Sequence, residues 1–199
     1  MDSKLTISSP PSSRVYVLEE PGAGGAFRAQ VDISTGDAFS LKRAERRLVH
    51  PIMASWTLGD PTPSDLIWTT SAVLVFASKR LVSRLEEAGI RGWITYQIRL
   101  RGKRGEVIDG YRGLAINGRC GPIDNERSVK VSKRYPAGDS PVWKGLYFEP
   151  ATWDGSDMFM PRNHSGWVFV SARARSVFED SGVTNVVCTD AEEIERSVL

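Results

Sequence analysis

An internal repeat is the feature of this 199-residue chain that most restricts its possible folds. Residues 73–93 align without a gap to residues 166–186. The residues paired by this alignment include Phe76 and Phe169, Ser78 and Ser171, Arg80 and Arg173, Leu85 and Phe178, Glu86 and Glu179, and Gly89 and Gly182. Upstream, Ser64-Asp65 and Ser156-Asp157 correspond after a shift of one residue. The chain is therefore predicted to contain two copies of one structural unit, over about residues 64–93 and 156–186.

Each copy has the pattern of a strand, a capped helix and a following strand. The serine at the end of the apolar strand has a hydroxyl that can accept a hydrogen bond from the free amides of a helix start. Leu81 and Leu85 lie four residues apart, on one face of the expected helix. The glycine near the end of each copy suits the left-handed conformation that often terminates a helix. We therefore interpret the matched residues as capping and packing residues and not as an active site.

The other segments predict mostly strands and loops. Residues 15–18 and 27–33 are strand-like and flank a glycine-rich loop at 21–25, the pattern of a hairpin. A short helix is expected within residues 39–49. The prolines at 51, 61 and 63 indicate an irregular connector over residues 50–64.

Further along the chain, residues 93–100 alternate apolar and polar side chains, as a half-buried strand does. A turn at 101–105 and an antiparallel return over 106–117 should follow. Residues 118–145 are rich in turn formers, and 189–192 have the spacing of a helix capping box. Residues 1–13 are polar and are expected to fray. These patterns predict a disordered tail over 1–13 and a single α+β domain over 14–199, with a mixed or antiparallel sheet.

Composition and charge exclude several classes of protein. Charged residues make up 25% of the chain and apolar residues 41%, as in ordinary globular domains, and the net charge of +2 is too small to indicate nucleic acid or a membrane as partner. Residues 79–134 carry 14 Lys and Arg against 6 Asp and Glu, whereas residues 135–199 carry 5 against 10. This asymmetry predicts either a dipolar surface that steers a partner or segments that interleave and cancel. Two cysteines and the lack of a signal-peptide profile favour a cytoplasmic protein with free thiols.

No motif for catalysis, metal binding or phosphate binding is recognisable. His50 and His164 have no nucleophile pattern nearby, and Cys188 lies in an apolar stretch. The spacings typical of zinc, calcium and nucleotide sites are missing. We therefore expect no cofactor, no metal and no catalytic residue.

Two irregular segments, 118–124 (Gly-Arg-Cys-Gly-Pro-Ile-Asp) and 144–157 (Lys-Gly-Leu-Tyr-Phe-Glu-Pro-Ala-Thr-Trp-Asp-Gly-Ser-Asp), are rich in glycine, proline and aromatic residues. Together with residues 110–113 and the helix endings at 86–90 and 179–183, they resemble a bacterial group of similar length. That group is itself similar to the immunity-protein family numbered eleven of polymorphic toxin systems. The resemblance covers roughly residues 60–190. It implies a cytoplasmic protein that binds and neutralises a cognate toxin without a cofactor.

The sequence thus predicts a non-enzymatic protein-binding module, and leaves the oligomeric state open. Loops of this composition either complete an irregular core or present a binding surface. The residues expected to contact the partner are Arg119, Asp124, Tyr147, Trp153, Asp154 and Asp157. The first alternative is a hydrolase-type enzyme with an acidic loop site formed by Asp124, Glu149, Asp154 and Asp157. A structural or small-ligand-binding module, which would need a deep apolar pocket, is the other.

Overall fold

The computed structural model describes residues 14–22, 25–46, 48–70, 73–136, 138–164 and 166–197. These residues form an α+β fold, as the sequence predicts, with three β-sheets. Its α-helices are α1 (Thr35–Lys42), α2 (Lys79–Glu87) and α3 (Ala172–Asp180). The tail predicted for residues 1–13 lies outside the described residues. In the part of the chain that is described, no helix has the length and apolar character needed to cross a lipid bilayer.

The largest sheet has eight strands and curls round its own apolar face. In spatial order, its strands are β6 (Trp93–Tyr96), β9 (Tyr111–Ile116), β5 (Val75–Ser78), β4 (Leu66–Thr69), β2 (Arg28–Val31), β3 (Ile52–Leu58), β7 (Ile98–Arg101) and β8 (Val107–Ile108). Only Gln97 separates β6 from β7 along the chain, although the two strands lie near opposite ends of this order. The sheet must therefore curl until its ends meet. Phe27, Phe76 and Leu100 fill the enclosed space, and Leu41 of α1 packs against them.

The second sheet has five strands and packs against the first. In spatial order, its strands are β10 (Gly118–Cys120), β13 (Met158–Pro161), β14 (Phe169–Ser171), β1 (Val15–Glu19) and β15 (Val187–Asp190). Leu81 of α2 and Phe178 of α3 belong to one apolar cluster with residues of both sheets, so the two helices join the sheets. The opposite face of the second sheet packs on Phe148, which lies within the irregular segment 144–157, and on Ile194 near the C-terminus.

The third sheet is small and consists mainly of a long hairpin. Strands β11 (Val129–Tyr135) and β12 (Gly138–Lys144) pair antiparallel over their whole length, and β16 (Glu195–Ser197) pairs with the last three residues of β12. We call the β11–β12 hairpin the arm. All residues described between Ser132 and Pro141 are exposed. The arm therefore projects beyond its support at β16.

The predicted helix caps are confirmed. The hydroxyl of Ser78 accepts a hydrogen bond from the amide of Leu81 at 3.1 Å, and Ser171 does the same for the amide of Ala174 at 3.2 Å. Gly89 and Gly182 have φ angles of 62° and 58°, in the left-handed region that favours glycine.

The connector predicted for residues 50–64 is wrong, because residues 52–58 form strand β3. Ile52 and Ala54 are buried whereas Met53 and Ser55 are exposed, which is the alternation of a half-buried strand. The prolines flank this strand instead of interrupting it. The expected hairpin over residues 15–33 is also wrong, since β1 and β2 belong to different sheets. Two strands joined by a short loop have the same local pattern whether or not they pair.

Three further boundaries differ from expectation. Helix α1 begins at residue 35, earlier than predicted, because Ser34 caps it, and it ends before Ala44, which has a φ of 56°. The segment 118–145 contains three strands in addition to its turns. The C-terminal capping signal produces only one 3₁₀ turn, Ala191–Glu193, capped by Asp190. The antiparallel return after the turn at 101–105 is confirmed, since β8 pairs with β7 and β9 with β6.

Candidate functional site

The two irregular segments singled out in the sequence lie side by side. The amide of Asp124 donates to the carbonyl of Tyr147 at 2.8 Å, and the amide of Asp154 donates to the carbonyl of Arg119 at 3.1 Å. In return, the amide of Arg119 donates to the Asp154 carboxylate at 2.7 Å. We call residues 118–124 and 147–157 the loop pair. Its two segments form one continuous surface feature although more than 20 residues of chain separate them.

Two positions of the loop pair require glycine, because a neighbouring segment packs too closely there to leave room for a Cβ atom. A Cβ atom on Gly118 would lie 2.0 Å from the hydroxyl of Ser156 and 2.2 Å from the carbonyl oxygen of Met158. A Cβ atom on Gly121 would lie 2.5 Å from the hydroxyl of Thr152. The Gly-Arg-Cys-Gly string is thus explained by packing of one segment on the other.

Arg119 fastens the loop pair to the rest of the fold. Its guanidinium donates to the carbonyl oxygens of Ile116 at 2.7 Å, Gly118 at 2.8 Å, and Arg43. Burial, together with the neighbouring charge of Arg43, lowers the pKa of Arg119. Its donors are used inside the molecule, so Arg119 is a structural residue more than a partner-facing one.

The side chains of Trp153 and Asp154 also form their contacts within the fold. The Trp153 indole donates to the carbonyl of Ser156 at 3.0 Å, and its ring lies 4.9 Å from that of Phe159 between centroids. Asp154 accepts from the amide of Ser156 at 2.9 Å and from its hydroxyl at 2.5 Å. Burial raises the pKa of Asp154, but these hydrogen bonds outweigh it and lower the pKa overall. The Asp-Gly-Ser-Asp turn is therefore held by its own side chains.

Asp157 belongs to a buried network at the start of α3. It accepts hydrogen bonds from the Ser171 hydroxyl at 2.9 Å, from the Arg173 guanidinium at 2.7 and 3.1 Å, and from the Arg91 amide at 3.0 Å. Arg173 also donates to the carbonyl of Gly89 at 2.5 Å, at the end of α2. Burial raises the pKa of Asp157, and these donors lower it below its ordinary value.

Asp65 has a corresponding network at the start of α2. It accepts from the Ser78 hydroxyl at 2.7 Å, from Arg80, and from the amide and hydroxyl of Thr184 at 3.1 Å each. Arg80 also donates to the carbonyls that follow α3, at Ser181 and Gly182. Burial raises the pKa of Asp65, but Arg80, Ser78 and Thr184 together lower it to about 2. Each arginine thus binds the aspartate of its own unit and the helix end of the other.

Among the predicted contact residues, Asp154 is exposed but held by hydrogen bonds, and Asp124 and Tyr147 have the side chains that the described fold engages least. Both are half-buried, and the exposed Arg127 places its guanidinium over the Tyr147 ring, 4.7 Å from the centroid. Among the described residues, the carboxylate of Asp124 accepts a hydrogen bond only from the amide of Glu126, at 3.1 Å. We call Asp124, Arg127 and Tyr147 the Tyr147 patch. Sequence reasoning missed Arg127, because it lies 20 residues before Tyr147 in the chain and no local pattern indicates their contact.

The four carboxylates of the hydrolase alternative have different surroundings. Asp157 lies in the buried network of α3, Asp154 in the turn bound by Arg119, Asp124 beside Tyr147, and Glu149 is exposed. The pKa values of Asp154 and Asp157 are lowered, whereas a general acid needs a raised one. Among the described residues, no three His, Cys, Asp or Glu side chains are grouped closely enough to hold a metal ion.

The two histidines lie at the surface, whereas Cys120 is buried within the loop pair and Cys188 is half-buried. His50 and His164 are exposed, and the His164 ring stacks on the Trp167 ring with 5.7 Å between the ring centroids. Cys120 and Cys188 are free, and burial raises the pKa of both thiols to about 12. Such thiols are poor nucleophiles at neutral pH.

One lysine is buried without a carboxylate partner in the described chain. Lys42, in the last turn of α1, is 4% exposed, and its ammonium group donates to the carbonyl of Gly166 at 3.3 Å. Burial lowers the pKa of Lys42 to about 8. Lys42 and Arg196 in turn lower the pKa of His164, after the larger effect of burial.

No protein-family model matches this chain, and no curated protein matches its sequence.

Proposed function

We propose that this protein is a non-enzymatic, cytoplasmic protein-binding module that neutralises a cognate bacterial toxin by direct contact. The observation that carries the proposal is the Tyr147 patch, which lies where the two segments of the loop pair meet. There, an aromatic ring, a guanidinium and a carboxylate are accessible on a backbone that internal hydrogen bonds hold in place.

This combination is suited to binding another protein. Tyrosine and arginine are enriched among the residues that contribute most to protein–protein affinity. A surface whose backbone is already ordered loses less conformational entropy on association. Arg119, Trp153, Asp154 and Asp157 supply that order, so their contribution to binding would be indirect. The resemblance to an immunity-protein family supports a toxin as the partner.

The proposal is tested by paired expression. The reading frame directly upstream is induced in a laboratory bacterium with and without this protein, and growth is scored. We expect the neighbour to inhibit growth alone and this protein to restore it, with a complex detectable by native mass spectrometry. A harmless neighbour, or inhibition that this protein does not relieve, would remove the main support for toxin neutralisation.

The Tyr147 patch is tested in the same assay. Arg127→Glu should weaken binding at least tenfold, because it replaces the stacked cation by a repelling charge next to Asp124. Arg162→Glu is the matched control, since Arg162 is also exposed and lies outside the patch. Equal rescue by both variants would show that the partner binds elsewhere.

We also propose that the units around α2 and α3 are copies produced by duplication. The support is the agreement between the ungapped sequence alignment and the corresponding hydrogen bonds of Asp65 and Asp157. The same aspartate, serine and arginine occur in both networks.

A further inference from the structure

The arm carries a run of positive charge that the fold itself uses only in part. Strand β11 contains Lys130, Lys133 and Arg134, Arg127 lies just before it, and no acidic residue occurs between positions 127 and 138. Lys133 forms an ion pair with Glu195 of β16. Lys130 and Arg134 are exposed and form no ion pair with any residue that the structure describes. Two cations of the arm are therefore free to bind something else.

These two cations lie on one face of the arm. Lys130 pairs across the hairpin with Trp143, and Arg134 pairs with Asp139. They are four residues apart in an extended strand, so their side chains point to the same side, about 13 Å apart along the strand. The other face of β11 has exposed apolar groups, with Val129 at 59% and Tyr135 at 42% exposure.

The outer edge of β11 has no neighbouring strand among the described residues. The sheet order places β11 at one end, next to β12 alone. Its seven residues span about 23 Å, and they include no proline. The outward amide and carbonyl groups of such an edge can pair with an added strand.

From these observations we propose that the arm binds an extended, acidic segment of a partner protein, which adds to the edge of β11 as a fourth strand. Carboxylates four residues apart on that segment would pair with Lys130 and Arg134, while the backbone groups bond to the strand edge. The inference rests on the proposed binding function, and it specifies that the partner presents an extended, acidic segment.

A second copy of the chain does not fit this edge. Antiparallel self-pairing of β11 about Ser132 would place Lys130 opposite Arg134 of the other copy, and like charges directly opposite are destabilising. A nucleic acid could use the cations, but it would leave the strand edge unpaired and Val129 exposed. An acidic strand of a partner protein would pair with both cations and would also bond to the outward backbone groups of the β11 edge.

The test uses the full-length protein and a fluorescein-labelled peptide, Thr-Glu-Val-Thr-Val-Glu-Thr, in which the two acids are four residues apart. Binding is followed by fluorescence anisotropy at about 50 mM salt, where charge interactions are weakly screened. The matched peptide has lysine in place of both glutamates. We expect the acidic peptide to bind at least tenfold more tightly than the basic one, and added salt to weaken it.

Variants and hydrogen exchange locate the binding. The double variant Lys130→Glu/Arg134→Glu should bind the basic peptide more tightly than the acidic one. The control Arg104→Glu/Arg162→Glu changes as many exposed charges elsewhere and should keep the preference for the acidic peptide. The acidic peptide should slow amide exchange within residues 129–135 at least fivefold.

Three results would overturn the inference: no preference for the acidic peptide, no protection of β11, or a DNA duplex that displaces the peptide at lower concentration. Each is separable from failure of the proposed function. A protein that relieves growth inhibition but ignores the acidic peptide binds its toxin by another surface, and one that binds the peptide without relieving inhibition has a different partner.

Discussion

Removing the buried charge of Lys42 should stabilise the protein at neutral pH. Burial lowers the pKa of Lys42 from 10.5 to about 8, so the folded state binds its proton less tightly than the unfolded state. At pH 7 the group is charged in both states, and the folded state carries the cost of burying that charge. A pKa unit corresponds to 1.36 kcal/mol, which sets this cost at about 3 kcal/mol. Lys42→Met keeps the length of the side chain and removes the charge.

The pH dependence separates this mechanism from a simple gain in packing. As pH rises above about 8, the folded lysine loses its proton while the unfolded one keeps it until about 10.5. The unfolding free energy of the wild type therefore rises through this window relative to that of the variant. The advantage of Lys42→Met should fall from about 3 kcal/mol at pH 7 to about 2 kcal/mol at pH 9. The cysteine thiols titrate equally in both proteins, so their effects cancel in the difference.

The assay is urea denaturation followed by circular dichroism at pH 7 and pH 9. Lys130→Met is the matched control, because Lys130 is exposed and its removal should change the unfolding free energy by less than about 0.5 kcal/mol at both pH values. A destabilised Lys42→Met variant, or an advantage that does not shrink between pH 7 and pH 9, would refute the reasoning. The first result would mean that the contact with Gly166 outweighs desolvation.

Three other predictions concern the networks and the loop pair. Asp65→Asn should destabilise the fold by about 3 kcal/mol at pH 7, since it leaves the partners of a buried carboxylate without a full countercharge. In the wild type, the stability contributed by Asp65 is complete above pH 4 and is lost as pH falls toward its folded pKa of about 2. Gly118→Ala should cost about 3 kcal/mol or more, because the added carbon overlaps Met158 and Ser156. Cys120 and Cys188 should react slowly with a disulfide reagent at pH 8 in the native protein, and rapidly once it is unfolded.

Each of these has a clear contrary result. Urea denaturation of Asp65→Asn from pH 2 to pH 7 should show a smaller acid-induced loss than the wild type, and parallel curves would contradict the assigned pKa. A Gly118→Ala variant as stable as the wild type would mean that the two segments of the loop pair can move apart. Thiols that react in the native protein as fast as in the unfolded one would contradict their burial.

Local features of the repeat were predictable from the sequence, because caps and helix faces depend on residues close together in the chain. Ser78, Ser171, Gly89 and Gly182 all have the roles that their spacing indicates. Pairing between strands was harder to predict. The partners of β1 come from the far end of the chain, and nothing in residues 15–33 distinguishes a hairpin from a crossing between sheets.

The candidate site shows the same division. The sequence singled out the two segments of the loop pair as candidate binding loops, but it could not show which side chains face inward. Arg119 and Asp157 are charged and were expected at the surface, yet their hydrogen-bond partners come from distant segments, as Arg43 and Arg91 illustrate. The arm had a local signal in the alternation of Val129, Lys130 and Val131, which the abundance of turn residues on both sides obscured.

The exchange of arginine contacts between the two helix units has a consequence for how the molecule can come apart. Arg80 holds the end of α3 and Arg173 holds the end of α2, so opening either contact leaves helix-end carbonyls of the other unit without their donors. Neither unit keeps its own helix ends satisfied when alone. The halves are therefore expected to melt together as one cooperative transition, and a chain cut at the tip of the arm should regain structure only when both fragments are present.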